Sequence, residues 1–523
     1  MQKYIVNMSD LISSIPTIRV LLILFLLGNL SLFPQEKGGL SVITDEEGLS
    51  MEPIDVVETE NGEFIILANE IYKTKSKIIR LDANCNPIGE VCLALADTNL
   101  RLTNVFVVEN GFWGNSGYVI LGTCYPVSGE GAAIVTIIIG DDMIVKYRRK
   151  ETIPFTQQKP FLVSFLPFQD GFVSCLSFND SGGKPFLVNL SREGVITKYR
   201  ECNMDSLQFA SNIFSIQDNP DKIGMFAKTS SFSSASTGVL IFDSDFTLEK
   251  RVYYGPLTYY CDNGNIYYSF LDASQSMMIP LSDGNYVISS KLREMELRTN
   301  GTIVQEDRSV LFIKTDNDYI MNYDGVIIEH FNDTIEIPAP YTSIVTTEEG
   351  HLFQCSSSNV RYPNLQFNRD LHLVLTKTDE DLNLIWKKRF LRDGNAYCAF
   401  SICSTISGGC MVVGTVFDFN QDQRLDIFAL KINADGTLSV PELEQFVRPY
   451  AYYPNPAQDE LHLQYSPDVT PSQIELFDIQ GRLLRSQRNS LERLNLQGLP
   501  AGTYTMRVTL EGGKVFSDKV VKE

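Results

Sequence analysis

Ser407-Gly408-Gly409-Cys410-Met411-Val412-Val413-Gly414 is a polar turn running straight into an apolar strand, and Asp426-Ile427-Phe428-Ala429-Leu430-Lys431 supplies a second strand soon afterwards. The same turn-then-strand unit recurs at positions marked by Gly62, Gly117, Gly171, Asp221, Gly284, Gly350 and Gly409. The intervals between markers are 55, 54, 50, 63, 66 and 59 residues. Short apolar runs bounded by Gly and Asp read as strands. Each marker is followed by a second such run, for example Lys77–Asp82, Val239–Asp243 and Leu373–Asp379. About four strands per repeat at a period near sixty is the composition of a propeller blade. The chain is therefore predicted to be all-β, with a roughly seven-bladed β-propeller over 40–445. The fourth marker lacks its glycine and the fifth repeat reads as carrying an insertion near 322–340, so six to eight blades fit. Two consecutive β-sandwiches are the competing architecture, but they require no such period.

Residues 452–523 read separately, as a small β-sandwich of about seven strands. Apolar residues alternate at Leu461, Leu463 and Tyr465, at Ile474, Leu476 and Phe477, and at Tyr504, Met506 and Val508, the period of strands buried on one face. Gly481, Gly502 and Gly512-Gly513 punctuate them. Pro454 and Pro456 stiffen the lead-in and suit a boundary between domains. The order Pro454-Asn455-Pro456, Asp478-Ile479-Gln480-Gly481-Arg482, Gly502-Thr503-Tyr504 and Lys519-Val520-Val521-Lys522 resembles the type A C-terminal sorting domain of the type IX secretion system of Bacteroidetes. The last two repeats, through Thr376–Asp379, Leu384–Lys388, Ser407–Gly414 and Asp426–Lys431, resemble degenerate propeller repeats often found ahead of such tails. The resemblance implies inner-membrane export, recognition of the tail by the outer-membrane translocon, and its removal by a sortase-like peptidase, with the product released or held at the cell surface.

The other end agrees with that destination. Val20–Phe33 is an apolar run of 14 residues preceded by Arg19 and followed by Gln35-Glu36-Lys37, too short to span a bilayer comfortably and suited to the core of a signal peptide over 1–36. Translation starting at Met8 would remove the long polar lead. The first cysteine is Cys85, which argues against a lipoprotein anchor, and no later run of that length predicts a transmembrane segment in the mature protein. Of the formal net charge of −20, residues 1–39 contribute +1 and 452–523 contribute −1, so the acidity lies in the repeats. Such a surface repels phosphate backbones and excludes nucleic acid as the natural partner. None of the ten cysteines forms a CxxC pair. Cys398, Cys403 and Cys410, or Cys85 and Cys92, can bridge in an oxidising compartment or stay as buried thiols.

Chemistry is sparse. His330, His351, His372 and His462 form no zinc-binding spacing. No Gly-x-Ser-x-Gly elbow or phosphate loop is present, and no Asp-box assembles around Trp113 or Trp386. The expectation is a non-enzymatic scaffold binding glycan or protein. A glycan- or peptide-hydrolysing propeller, with carboxylates at glycosidase separation, and a structural surface-layer component are the alternatives. Two stretches are candidate sites. Asp418, Asn420, Asp422 and Asp426 place oxygen ligands at alternate loop positions, as Ca²⁺ requires, although Gln421 and Gln423 stand where calcium loops of propeller repeats carry glycine. Tyr253, Tyr254, Tyr259, Tyr260, Tyr267 and Tyr268 offer flat rings with hydroxyls for a sugar or a partner protein.

Overall fold

The computed structural model describes residues 40–438 and 450–523, apart from short connecting segments of which 359–370 is the longest. The stretch 1–36, expected from its sequence to be a signal peptide, lies outside the described residues. The chain divides into two compact units, 1–444 and 445–523, and every regular element among the described residues is a strand.

In the first unit the strands form seven antiparallel sheets, one for each sequence marker. Six are built from consecutive segments: 51–94, 98–152, 162–201, 207–254, 258–328 and 336–390. The seventh takes three strands from 395–432, and its outermost strand is Leu40–Ile43, paired antiparallel with Leu425–Ile432. The N-terminal strand thus closes the ring, and the unit is a seven-bladed propeller. Burial follows position within a blade. Phe64–Glu70, a second strand, is buried throughout, as is the third strand Ala133–Gly140, whereas the outer strand Val145–Thr152 alternates between partly buried and exposed. Strands covered on both faces need apolar runs, and half-covered ones need alternation.

Five markers sit in the hairpin between the first and second strands, and Gly117 and Gly171 lie just beyond it at the start of the second strand. Gly350 takes φ +76°, a region closed to most side chains, and its N–H closes the turn on Thr347 O. Gly409 answers a different need, since a Cβ there would come within 2.1 Å of Ile432 O on the neighbouring strand. In blade four, where the glycine is missing, Asn219 takes over, its carbonyl accepting from Lys222 N–H and its side chain from Asp221 N–H. The extra length of blade five lies at 258–308, in a hairpin and in elongated strands Asn265–Pro280, Tyr286–Leu297 and Ile303–Thr315. That corrects the expected insertion near 322–340, where Met321–Ile328 is the blade's own last strand.

A second turn, directly after the third strand, recurs in all seven blades. Its fourth residue adopts positive φ: Cys85, Met143, Gly194, Phe246, Tyr319, Leu382 and Gly436. Bulky side chains rarely accept that backbone. Here Cys85, Phe246, Tyr319 and Leu382 are each at most 5% exposed, so packing into the hydrophobic clusters at the blades offsets the strain. A belt of polar contacts links each blade to this turn of the next. Arg80 donates to Asp141 O at 2.5 Å, Tyr147 to Glu193 O at 3.2 Å, and Lys198 to Ser244 O at 3.2 Å. Lys250 pairs with Asp318, Lys314 with Asp381 at 3.0 Å, and Lys388 donates to Gly436 O at 2.7 Å. Lys431 of blade seven returns to Ala83 O of blade one at 3.0 Å.

The second unit packs a three-stranded sheet, with strands 450–453, 460–465 and 493–495, against a four-stranded one ordered 483–487, 471–477, 502–510 and 515–522. Leu461, Leu463, Ile474, Leu476, Leu494, Met506, Val508 and Val520 form its core. Phe477 leaves the expected core set. It directly follows Leu476, so strand alternation puts it on the opposite face, where the Arg507 guanidinium lies 4.7 Å from its ring centre.

Candidate functional site

The tyrosines divide between two blades. Tyr253 and Tyr254 end the outer strand Leu248–Tyr254 of blade four. Tyr253 is 46% exposed, but Tyr254 is buried, donating its hydroxyl to Tyr319 O at 2.9 Å. Tyr254 is therefore a core residue and leaves the candidate set, because strand alternation puts it on the opposite face from Tyr253. The other four form one hairpin on blade five, with Tyr259 opposite Tyr268 and Tyr260 opposite Tyr267. This hairpin pairs with the far end of Tyr286–Leu297, away from the marker turn at 281–285.

Of the expected calcium ligands, Asn420 and Asp422 lie outside the described residues. Asp418 ends the strand Cys410–Asp418 and Asp426 lies opposite Val416 in the following one, so both are diagonal neighbours on one face of blade seven. Among the described residues no group of three His, Cys, Asp or Glu is assembled for a metal. The nine cysteines described, Cys398, Cys403, Cys410, Cys85 and Cys92 included, are free thiols. Burial pushes the thiols of Cys85 and Cys202 up to about 12, which keeps them protonated and unreactive at neutral pH.

An arrangement that carries no sequence motif lies on the inner strands. Tyr341, from the segment interrupting the inner strand of blade six, donates its hydroxyl to Glu52 Oε1 of blade one at 2.6 Å, and Arg101 of blade two lies within hydrogen-bonding reach of the same side chain. The Tyr341 N–H is held by Phe400 O of blade seven. Burial, with the Glu52 carboxylate beside it, raises the Tyr341 phenol far above its usual range. Nearby, Asp55 bridges blades one and two, accepting the N–H groups of Val56 and Val105 at 3.0 Å. Desolvation pushes its carboxyl up to about 7 despite those bonds.

The terminal unit explains its own motifs. Asn455 Oδ1 accepts Val521 N–H at 2.8 Å, Ala457 N–H donates to Val521 O at 2.8 Å, and Glu523 N–H returns to Ala457 O at 3.0 Å. Lys522 is buried and its ammonium donates to Gln458 O. Pro454-Asn455-Pro456 and Lys519-Val520-Val521-Lys522 are thus two halves of one clasp, with Val520 in the core. Asp478 closes its turn by accepting Arg482 N–H at 2.9 Å and Arg482 Nε at 2.6 Å, while Gly481 lies outside the described residues. Tyr504 is buried and its hydroxyl ties down Pro500 O at 2.6 Å, and Gly502 opens the strand opposite Lys522.

Residues 451–523 match the family described as the secretion system C-terminal sorting domain. The terminal unit is accordingly a sorting domain of the type IX kind, and it ties the chain to that secretion machinery. No curated protein matches the chain. Solved structures similar to it include the β-propeller domain of the trilobed protease from Pyrococcus furiosus, at 9% identity over 75% of this chain and 100% of that one, TM-score 0.39. The periplasmic gluconolactonase of Pseudomonas aeruginosa is similar at 10% identity over 75% and 100%, TM-score 0.39. The Synechocystis apocarotenoid oxygenase is similar at 11% identity over 72% and 71%, TM-score 0.32.

Proposed function

We propose that this protein is an exported binding scaffold, carried across the outer membrane by its terminal unit and displayed at the cell surface or released, with a glycan or protein ligand held by the propeller. The observation that favours binding is the blade-five hairpin, which gathers four tyrosines in two register pairs beyond the body of the blade. Aromatic rings with hydroxyls bind sugars and protein hot spots alike. Titrating the purified full chain on glycan arrays tests this. Signal is expected from the wild type and loss from the quadruple Tyr259→Ala, Tyr260→Ala, Tyr267→Ala, Tyr268→Ala variant, and retention in the variant would remove the hairpin from the reading.

A hydrolytic reading draws support from Glu52, Tyr341 and Arg101, which bring a carboxylate, a phenol and a guanidinium together from three blades. Chromogenic glycosides separate the two readings. Turnover that Glu52→Gln abolishes would favour the enzyme, and binding without turnover the scaffold.

A further inference from the structure

The outer strand Leu483–Gln487 of the sorting unit is an edge of its four-stranded sheet, and among the described residues no strand pairs with its far side. Natural edges are shielded by short length, bulges or covering loops, and rarely present adjacent large apolar side chains. This one is only five residues long and its pairing shifts register across Leu484, yet it does present such a pair: Leu483 is 52% and Leu484 37% exposed. The sheet's other edge, Val515–Lys522, is by contrast capped at its end by the lead-in through the Ala457–Lys522 bridge.

Charge singles out the same strip. Between Arg482 and Arg493 the sequence carries Arg482, Arg485, Arg488 and Arg493 against a single carboxylate, Glu492. The whole chain, by comparison, is −20. Arg482 and Arg493 are 75% and 68% exposed at their side chains, and Arg485 and Arg488 are exposed as well. Some of their hydrogens are engaged, by Asp478 on Arg482, by Gln497 O on Arg485 and by Glu460 at 3.5 Å from Arg493. A guanidinium has five donors, so each retains capacity for another carboxylate.

We infer that this edge receives an acidic β-strand from a partner protein of the export machinery. Main-chain bonds would extend the sheet, the two leucines would fill apolar pockets, and the arginines would select carboxylates and set register. The inference rests on reading the unit as an export address, and the test separates the two.

The full chain is expressed in a host with an active type IX system, and its fraction outside the outer membrane is measured for five forms. These are wild type, Leu483→Ser/Leu484→Ser, Arg485→Glu/Arg488→Glu, Arg485→Lys/Arg488→Lys, and a deletion of 451–523. The serine and glutamate pairs are expected to lower the exported fraction at least tenfold while the tail stays protected from protease, with the lysine pair within threefold of wild type. Normal export of the serine and glutamate pairs beside a retained deletion overturns the edge inference alone. Loss with the lysine pair overturns its charge basis. Normal export of the deletion overturns the export reading. Should the wild type elute as a dimer that the pairs convert to monomers, the edge is a self-association surface and the inference fails.

Discussion

Lys387 and Glu336 form an ion pair on blade six, Nζ to Oε2 at 3.0 Å, with side chains only 7% and 3% exposed. Ser356 donates to the other carboxylate oxygen at 2.6 Å. At 3.0 Å and an effective dielectric of 20, the attraction is about 5.5 kcal/mol before desolvation, and desolvation cancels much of it. Removing one partner leaves the other charge in a dry site, and Glu336→Gln and Lys387→Met should each cost about 3–5 kcal/mol. Removing both should cost less than the sum, giving a coupling of roughly 1–3 kcal/mol in a double-mutant cycle. Trp386 adjoins Lys387 and packs on Phe353 at 5.7 Å between ring centres. Both tryptophans of the chain fall within residues 1–444 and none within 445–523, so urea unfolding followed by tryptophan fluorescence reads the first unit. Single variants each costing below about 1 kcal/mol, or additive within about 0.5 kcal/mol, would show that the pair is solvated and that blade six is not packed as described.

Other expectations follow from the same packing. Asp55 has a raised carboxyl pKa, so the folded state holds its proton more tightly than the unfolded chain. Its contribution is full below about pH 4 and is lost as pH rises toward 7. Asp55→Asn should therefore flatten the fall in stability across that window, by a few kcal/mol at most, as read from urea melts at pH 5 and 7.5. Gly409→Ala must displace the Ile432 carbonyl and should destabilise the propeller by about 2 kcal/mol or more, whereas no change would mean that the two strands are further apart. Tyr504→Phe loses the bond to Pro500 O and should cost the terminal unit about 1 kcal/mol, leaving the tryptophan-monitored transition unmoved. Calorimetry with Ca²⁺ on wild type and Asp422→Ala checks the loop around Asp418, since absence of heat in both removes calcium.

What sequence could show depended on whether the signal was local. Seven markers revealed seven blades because each hairpin declares itself within a few residues. The turn after the second apolar run is legible in its Asp and Asn residues, but the positive φ of its fourth residue is not, because Cys85, Phe246, Tyr319 and Leu382 are core-type residues held there by burial, with no glycine to mark them. The closing strand Leu40–Ile43 finds its partner, Leu425–Ile432, only after the ring is complete. Glu52, Arg101 and Tyr341 likewise come from three blades and share no spacing. Tyr253 and Tyr254 looked equivalent, and alternation then sent one to solvent and the other to the core. In the tail the motif order was legible, while the reason for it, Asn455 gripping the backbone of Val521, required the fold.

Cell fractionation of the full chain and of a form ending at residue 450 tests the central claim most directly. Export of the full chain with retention of the shortened form inside the outer membrane is the result expected, and the shortened form reaching the medium or outer face in equal amount would contradict it.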